Sequence, residues 1–422
     1  MDLLIAFAVT LVLITVVSLR FRISPFFTLI GGSILFGLMA GMTPDETFLG
    51  IVSGVGKVFS SFGIIILCGA VIAKILQEEH LIGQIVADIR RLVKDPRNIA
   101  GVSGYLLAVP ITCCVTAYIM LNPILESCEK DPRRRNILLY LAAVGSIVSY
   151  ALVYPTPVVI PLFDAFSGGM SPLLFDAISI PLSLAVLAAI LFAFRWADKG
   201  GAGNEPASQC PATIPAEGQE GIHWRAWAPF IVILLAIPVA FLVLHLSHVS
   251  MINFIMLAGA ATAIIMAKRE TRTSGLSQAA KHAGLIIFDI CGAGALGFVI
   301  VASGFATEAL GRLTLLIPII LVPFILAALI ETAQGSRVVT AVITAEVLAG
   351  TVVANGIHPV PLILLISAGS CIVSYVTDPF FWLVQRTTGD TIGAVVKYYT
   401  LPIALAGAGI FCVAIGLEYL VF

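Results

Sequence analysis

Twelve apolar runs, each long enough to cross roughly 30 Å of hydrocarbon, follow one another along the chain. They lie near residues 2–19, 24–42, 51–76, 99–128, 137–163, 172–195, 228–246, 250–267, 283–304, 313–350, 359–384 and 398–421. Six fall on each side of one polar stretch, Ala197 to Gly221, rich in Gly, Ala, Pro and Glu, which reads as a flexible linker. The pattern predicts a membrane repeat over 1–196, a cytoplasmic linker over 197–224 and a second membrane repeat over 225–422. The first run follows Met-Asp without a positive leader, so it reads as a retained span and not as a cleaved signal.

Two runs are too long and too broken for a plain helix. Residues 99–128 contain Pro110, then Thr112, Cys113, Cys114 and Thr116, then Asn122-Pro123. Residues 313–350 contain Glu331, Thr332, Gln334, Gly335, Ser336, Arg337 and Thr340. Proline removes a backbone donor and glycine permits a reversal. In lipid, irregular backbone survives only where protein or a watery cavity satisfies it. Both runs are therefore expected to be re-entrant hairpins.

The halves also repeat each other. Gly145-Ser146-Ile147-Val148-Ser149-Tyr150 is echoed by Gly369-Ser370-Cys371-Ile372-Val373-Ser374-Tyr375, and Cys68-Gly69-Ala70 by Cys291-Gly292-Ala293. Pro155 and Pro157 interrupt the first of these spans and Asp378-Pro379 the second, which predicts two broken helices. With the N-terminus outside and both hairpins re-entering, every Lys and Arg except Lys57, Arg312 and Arg337 falls on the inner side, as the positive-inside rule demands. The same threading turns the two copies opposite ways up. The predicted fold is an all-α polytopic membrane protein: an inverted-repeat transporter with two re-entrant hairpins and two broken transmembrane helices. The amphipathic segment from Gln77 to Asn98 is expected to lie along the inner surface or to form a solvated linker helix.

Composition agrees. Of 422 residues, 59% are hydrophobic and only 11% charged, against about 25% charged in soluble domains. A net charge of -1 gives no footing for nucleic acid. The eight cysteines show no metal spacing and no secreted disulfide pattern. The histidines, His80, His223, His245, His248, His282 and His358, sit at span ends or in loops, and none pairs with a Ser or Cys at a useful spacing. No metal, cofactor or catalytic triad is predicted. Gly292, Gly294 and Gly297 lie within an apolar span and read as close packing.

Candidate chemistry gathers at the irregular positions. Arg337, near the tip of the second hairpin, could fork onto a substrate carboxylate; it could equally snorkel, or pair with Glu331 or Glu346. Asp378 before Pro379 is good helix-start chemistry, and a capping carboxylate can also carry a proton. Asp289 is a second intramembrane acid, a relay candidate or simply a hydrated group near a span end. Thr112, Cys113 and Thr116 belong to the first hairpin; Gln334, Gly335, Ser336 and Thr340 flank Arg337 in the second. Ser149, Tyr150 and Thr156 line the first break, and Ser374, Tyr375 and Thr377 the second, though small hydroxylic residues also serve helix packing.

At these motifs the chain resembles the gluconate permease family of proton symporters, within the ion transporter superfamily. The resemblance covers Gly37 to Met42, Gly63 to Leu76, Gly335 to Ala345 and Ser374 to Trp382. Ser374, Asp378, Trp382, Gln334, Gly335 and Ser336 fit the family pattern. Tyr375 replaces the family His, Thr377 the family Asn, and Arg337 stands where a small residue is usual. Cys113, Cys114 and Val115 occupy the place of an aromatic-acidic stretch, and Val153 to Val158 that of a His-containing proline run. The resemblance implies a proton-coupled symporter of an organic acid anion in the inner (plasma) membrane, with Asp378 as proton carrier and a homodimeric assembly. The pocket substitutions point to an anion smaller or less hydroxylated than gluconate. Sodium-coupled carboxylate transport and a passive anion channel remain as alternatives, with an intramembrane enzyme the least favoured.

Overall fold

The computed structural model describes residues 2–21, 23–93, 95–129, 131–198, 223–246, 248–305, 317–375 and 377–421. The expected linker lies almost wholly outside the described residues, as does Arg312. Among those described, every regular element is helical. The first half comprises α1 (Leu3–Phe21), α2 (Pro25–Met39), α3 (Pro44–Glu78), α4 (Leu81–Leu92), α5 (Pro96–Ile111), α6 (Cys114–Cys128), α7 (Pro132–Leu152), α8 (Val159–Phe166) and α9 (Pro172–Asp198). The second comprises α10 (Trp224–Pro238), α11 (His248–Met266), α12 (Arg269–Ala302), α13 (Val322–Gln334), α14 (Arg337–Leu348), α15 (Pro359–Ile372), α16 (Pro379–Thr388) and α17 (Ile392–Leu420).

Local side-chain chemistry sets where many helices begin. Thr43 precedes Pro44 and forms a reciprocal capping box with Glu46. Asp95, Asp131 and Asp378 each precede a proline and accept a backbone N–H of the first turn. Both long irregular runs are hairpins, α5–α6 and α13–α14, and both broken spans are broken where proline interrupts them, between α7 and α8 and between α15 and α16.

Packing relates the two halves. Gly145 on α7 meets the backbone of Gly101 on α5, and Gly369 on α15 meets Phe324 and Ala327 on α13. These are equivalent contacts in the two halves. The long helices α3 and α12, which carry the two Cys-Gly-Ala motifs, pack along most of their length. Gly50 faces Val299, Gly54 faces Gly294, and Glu78 accepts a hydrogen bond from Gln278. One number rises as its partner falls, so these two helices are antiparallel. Small residues let their backbones approach closely.

The helix α4 is strongly amphipathic, but it is tied down. Asp88 accepts hydrogen bonds from the His223 backbone N–H (2.9 Å), the His223 ring and Trp227 Nε1 (3.0 Å). Burial alone would raise the Asp88 carboxyl; these hydrogen bonds outweigh it and hold the group below its usual range. The contact joins α4 of the first half to the start of α10 in the second.

Candidate substrate and ion site

The two hairpins turn in the same way. After α5, Thr112 is left-handed (φ 55°) and Cys113 extended (φ −160°). After α13, Gly335 is left-handed (φ 63°) and Ser336 extended (φ −135°). Cys114 and Arg337 are thus equivalent: each is the first residue of its hairpin's second arm. The tips differ in where they dock. A Cβ on Gly69 of α3 would overlap Thr112 Oγ1, so the first tip rests on the Cys68-Gly69-Ala70 motif. A Cβ on Gly335 would overlap the Thr377 carbonyl and the Asp378 nitrogen, so the second tip rests on the break between α15 and α16.

A charged cluster forms at that second contact. Asp378 Oδ1 accepts the Phe380 N–H (2.8 Å), while Oδ2 accepts the Tyr399 hydroxyl (2.9 Å). The same Oδ2 lies 3.6 Å from Arg337 Nη2, which also donates to the Ser374 hydroxyl. Glu331, one turn before the hairpin tip, accepts the Thr340 hydroxyl on Oε2 at 2.8 Å. Arg337, Asp378 and Glu331 are only 5%, 2% and 0% exposed. Thr377 donates to the Thr332 carbonyl (2.9 Å), tying the break to the hairpin, and Thr400 donates to the Ser374 carbonyl (2.5 Å).

This region holds buried polar atoms with no partner among the described residues: Arg337 Nε, Gln334 Nε2 and Glu331 Oε1. Such atoms cost about 1–3 kcal/mol each, more when charged. Two of the three are donors beside a hairpin tip, an arrangement suited to an incoming carboxylate.

The first break has no charged residue of its own, though its Tyr154 N–H donates to Asp176 Oδ1 of α9 at 3.0 Å. Ser149 is buried and turns its hydroxyl to the Ser146 carbonyl at 3.3 Å. Tyr150 is buried within electrostatic reach of Cys113, Cys114 and Arg337. Cys114 in turn lies within reach of Arg337 and Asp378, so the first hairpin tip and first break face the charged cluster. Thr156 is buried with a hydroxyl that has no partner among the described residues. Cys113 Sγ accepts the Thr116 N–H (3.4 Å), and the Thr116 hydroxyl meets His282 Nε2 of α12 (2.9 Å).

Two expected positions have settings of their own. Tyr375 lies within the break, but it is 39% exposed where its repeat partner Tyr150 is buried, with its ring edge-on to Phe381 at 5.3 Å. The helix ends at Ile372, three residues earlier, and the unwound backbone no longer carries Tyr375 in the register that buries Tyr150. Asp289 holds the start of α2 by accepting the Ser24 hydroxyl (3.0 Å) and the Phe26 N–H (3.2 Å), and so belongs to the contact between α2 and α12. The alternative pairing of Arg337 with Glu346 does not form; Glu346 pairs with Lys57 at 2.8 Å. Three residues at the site carry little sign of it in the sequence: Glu331 as more than a partner for Arg337, Tyr399, and His282. The i, i+9 bond between Glu331 and Thr340 exists only because a hairpin folds between them.

Comparison with known proteins fits this architecture. The family model described as GntP family permease matches residues 1–267 and 228–418. A Haemophilus influenzae uncharacterized permease is 24% identical, covering 96% of this chain and 89% of its own. A Zymomonas mobilis gluconate permease is 26% identical over 100% of this chain and 98% of its own. The Escherichia coli high-affinity gluconate transporter is 22% identical over 94% and 95%. Among solved structures, the Alcanivorax borkumensis YdaH transporter superposes with a TM-score of 0.60 at 15% identity, covering 88% of each chain. Neisseria gonorrhoeae MtrF, of a class of antimetabolite efflux pumps, gives 0.57 at 14% identity, covering 93% of this chain and 95% of its own. At such identities these structures speak to fold alone.

Proposed function

The chain belongs to the GntP family of permeases, and from that premise we propose that it is a proton-coupled symporter of a small organic acid anion, working by alternating access. It is an integral, multi-pass membrane transporter and not an enzyme. The proposed substrate is a carboxylate smaller or less hydroxylated than gluconate. The observation that carries this reading is Arg337: a buried guanidinium at a hairpin tip, oriented by Ser374 and Asp378, whose Nε has no acceptor among the described residues.

A guanidinium presents a planar fork that matches a carboxylate. Ser374 and Asp378 engage Nη2, and Cys371 lies within hydrogen-bond reach of the guanidinium; Nε, without an acceptor among the described residues, is the donor left for the anion. Gln334 Nε2 adds a neutral donor nearby. The second hairpin arm α14 and the restarted helix α16 begin side by side here, and α6 begins within reach of the same cluster. Helix N-termini carry partial positive charge, which favours a bound anion. Facing this charged wall are Tyr150, Cys113 and Cys114, which bring one hydroxyl and two thiols and no charged or amide group for a polyol. An unmatched sugar hydroxyl would lose affinity there, which supports the smaller acid.

The acid cluster around Asp378 lies at the break and supports proton coupling; Asp289 has a structural contact of its own. The distribution of basic residues supports an orientation with the N-terminus outside, in the inner membrane. The test uses purified protein in proteoliposomes with radiolabelled gluconate, lactate and succinate under an outside-acid gradient, and a sodium gradient for comparison. Saturable uptake abolished by a protonophore is the expected result. Uptake driven only by sodium, or uptake that does not saturate, would overturn the proposal in favour of sodium coupling or a channel.

A further inference from the structure

Glu331 is the fully buried acid of the cluster, and neither the helix cap nor the ion pair uses it. It sits in the last turn of α13, where the Gly335 N–H closes onto its backbone carbonyl at 2.7 Å. Its side chain is 0% exposed. Oε2 accepts the Thr340 hydroxyl, and Oε1 has no partner among the described residues.

Asp378 is placed differently. Oδ1 accepts a backbone N–H; Oδ2 accepts a phenol and faces the guanidinium. These contacts are all with donors, which suits the ionised form of the carboxylate. The guanidinium beside it does not deprotonate in proteins. A group locked in this way is a poor proton carrier. Glu331 has an oxygen that no donor among the described residues claims, which is where a proton can sit.

Charge counting gives the same answer. The groups facing Glu331 are Arg337 and Thr340 from α14, Asp378 from the break and Cys371 from α15. From α1 the neighbouring contact is Thr15, which donates to the Ala333 carbonyl and does not titrate. One guanidinium against two ionised carboxylates leaves a buried net negative charge, which is costly. One proton on Glu331 makes the set neutral. A monocarboxylate arriving at Arg337 adds a further negative charge and strengthens the demand for that proton. Proton and anion then favour each other's binding by the same factor, which is coupling.

We propose that Glu331 is the proton-carrying carboxylate: it takes up H⁺ as the second hairpin tip opens to the acid side and releases it on the other, while Asp378 remains the ionised partner of Arg337. The step forms one O–H bond on Glu331 on the acid side and breaks it on the other, and it needs no further reactant. The inference rests on the proton-symport reading above.

The test compares wild type with Glu331→Gln and Glu331→Asp in proteoliposomes, using whichever of radiolabelled gluconate, lactate or succinate wild type accumulates. Two assays separate the roles: accumulation under an outside-acid gradient, and exchange of labelled for unlabelled anion without a gradient. E331Q is expected to lose accumulation at least about ten-fold relative to wild type while still exchanging anion, with exchange no longer varying with pH. E331D is expected to recover part of the accumulation. As a readout independent of transport, infrared difference spectra should show a protonated-carboxyl band in wild type at neutral pH that E331Q lacks. If E331Q accumulates like wild type, or loses exchange together with accumulation, or keeps the infrared band, Glu331 is not the carrier. If wild type itself fails to accumulate anion under the pH gradient, proton symport fails as a whole, a result distinct from a failure of Glu331 alone.

Discussion

The two hairpin-and-break units share a backbone plan and differ in chemistry. In the first, a left-handed Thr112 leads to Cys113 and Cys114, and the facing break offers Ser149, Tyr150 and Thr156. In the second, a left-handed Gly335 leads to Ser336 and Arg337, and the facing break offers Ser374 and Asp378. The first tip and its break carry no charged residue of their own; the second unit carries Glu331, Arg337 and Asp378 together, all buried. One geometry appears twice; on the carboxylate reading proposed above, the second copy supplies the electrostatic wall and the first the shape-defining one. Repeated halves therefore need not bind a substrate symmetrically.

The largest test of this contrast is substitution at the equivalent positions Arg337 and Cys114. Arg337→Ala removes one partner of a buried ion pair and should lower saturable anion uptake by about 3 kcal/mol, roughly a hundred-fold. Arg337→Lys keeps the charge but not the fork and should fall between. Cys114→Ala should cost no more than about 1.5 kcal/mol in the same assay. Equal losses at both positions would mean that the two tips share the electrostatic work.

The hairpin turns give a smaller and unequal pair of changes. Gly335→Ala places a Cβ against the Thr377 carbonyl in a left-handed conformation, so it should destabilise the protein by about 1–3 kcal/mol and depress uptake. Thr112→Gly relieves a left-handed β-branched residue. Its gain is offset by the greater freedom of glycine in the unfolded chain, so its melting temperature should stay close to that of wild type. Thermal unfolding in detergent compares the two.

A further effect, on stability alone, belongs to a contact outside both units. Asp88→Asn weakens the tie between α4 and the start of α10 and should cost about 1–3 kcal/mol of stability. The folded carboxyl is held below its usual range. Its contribution is therefore present above the ordinary carboxylate pKa and is lost as pH falls through the lowered folded value. Wild type and variant should converge in melting temperature on acidification. A difference that grows in acid would contradict this.

Much of the architecture is legible in the sequence itself. Pro110, Gly335 and the polar residues around them mark both hairpins, because lipid leaves few other uses for such residues in an apolar run. The Gly145 and Gly369 motifs mark the repeat, and packing shows why glycine stands there: each meets backbone of its own hairpin's first arm. Asp378-Pro379 marks a helix restart. What is not legible depends on rotation and distance. Tyr375 reads as a copy of Tyr150, yet α15 ends before it and leaves it exposed where Tyr150 is buried. His282 reads as a span-end histidine, yet it reaches Thr116 on the first hairpin. Tyr399 carries no local signal at all, because its partner Asp378 comes from another element.

The antiparallel contact between α3 and α12 also bears on how the protein is made. Gly54 meets the backbone of Gly294, and neither surface is complete without the other. At a synthesis rate of about 5–20 residues per second, α12 emerges roughly 10–45 s after α3. During that interval the bilayer holds a half-built protein whose glycine-lined face touches lipid or whatever else lies beside it. The membrane-insertion machinery thus has tens of seconds in which a mispaired helix can occupy the groove. The order of synthesis leaves the α3 surface to be protected until its partner arrives.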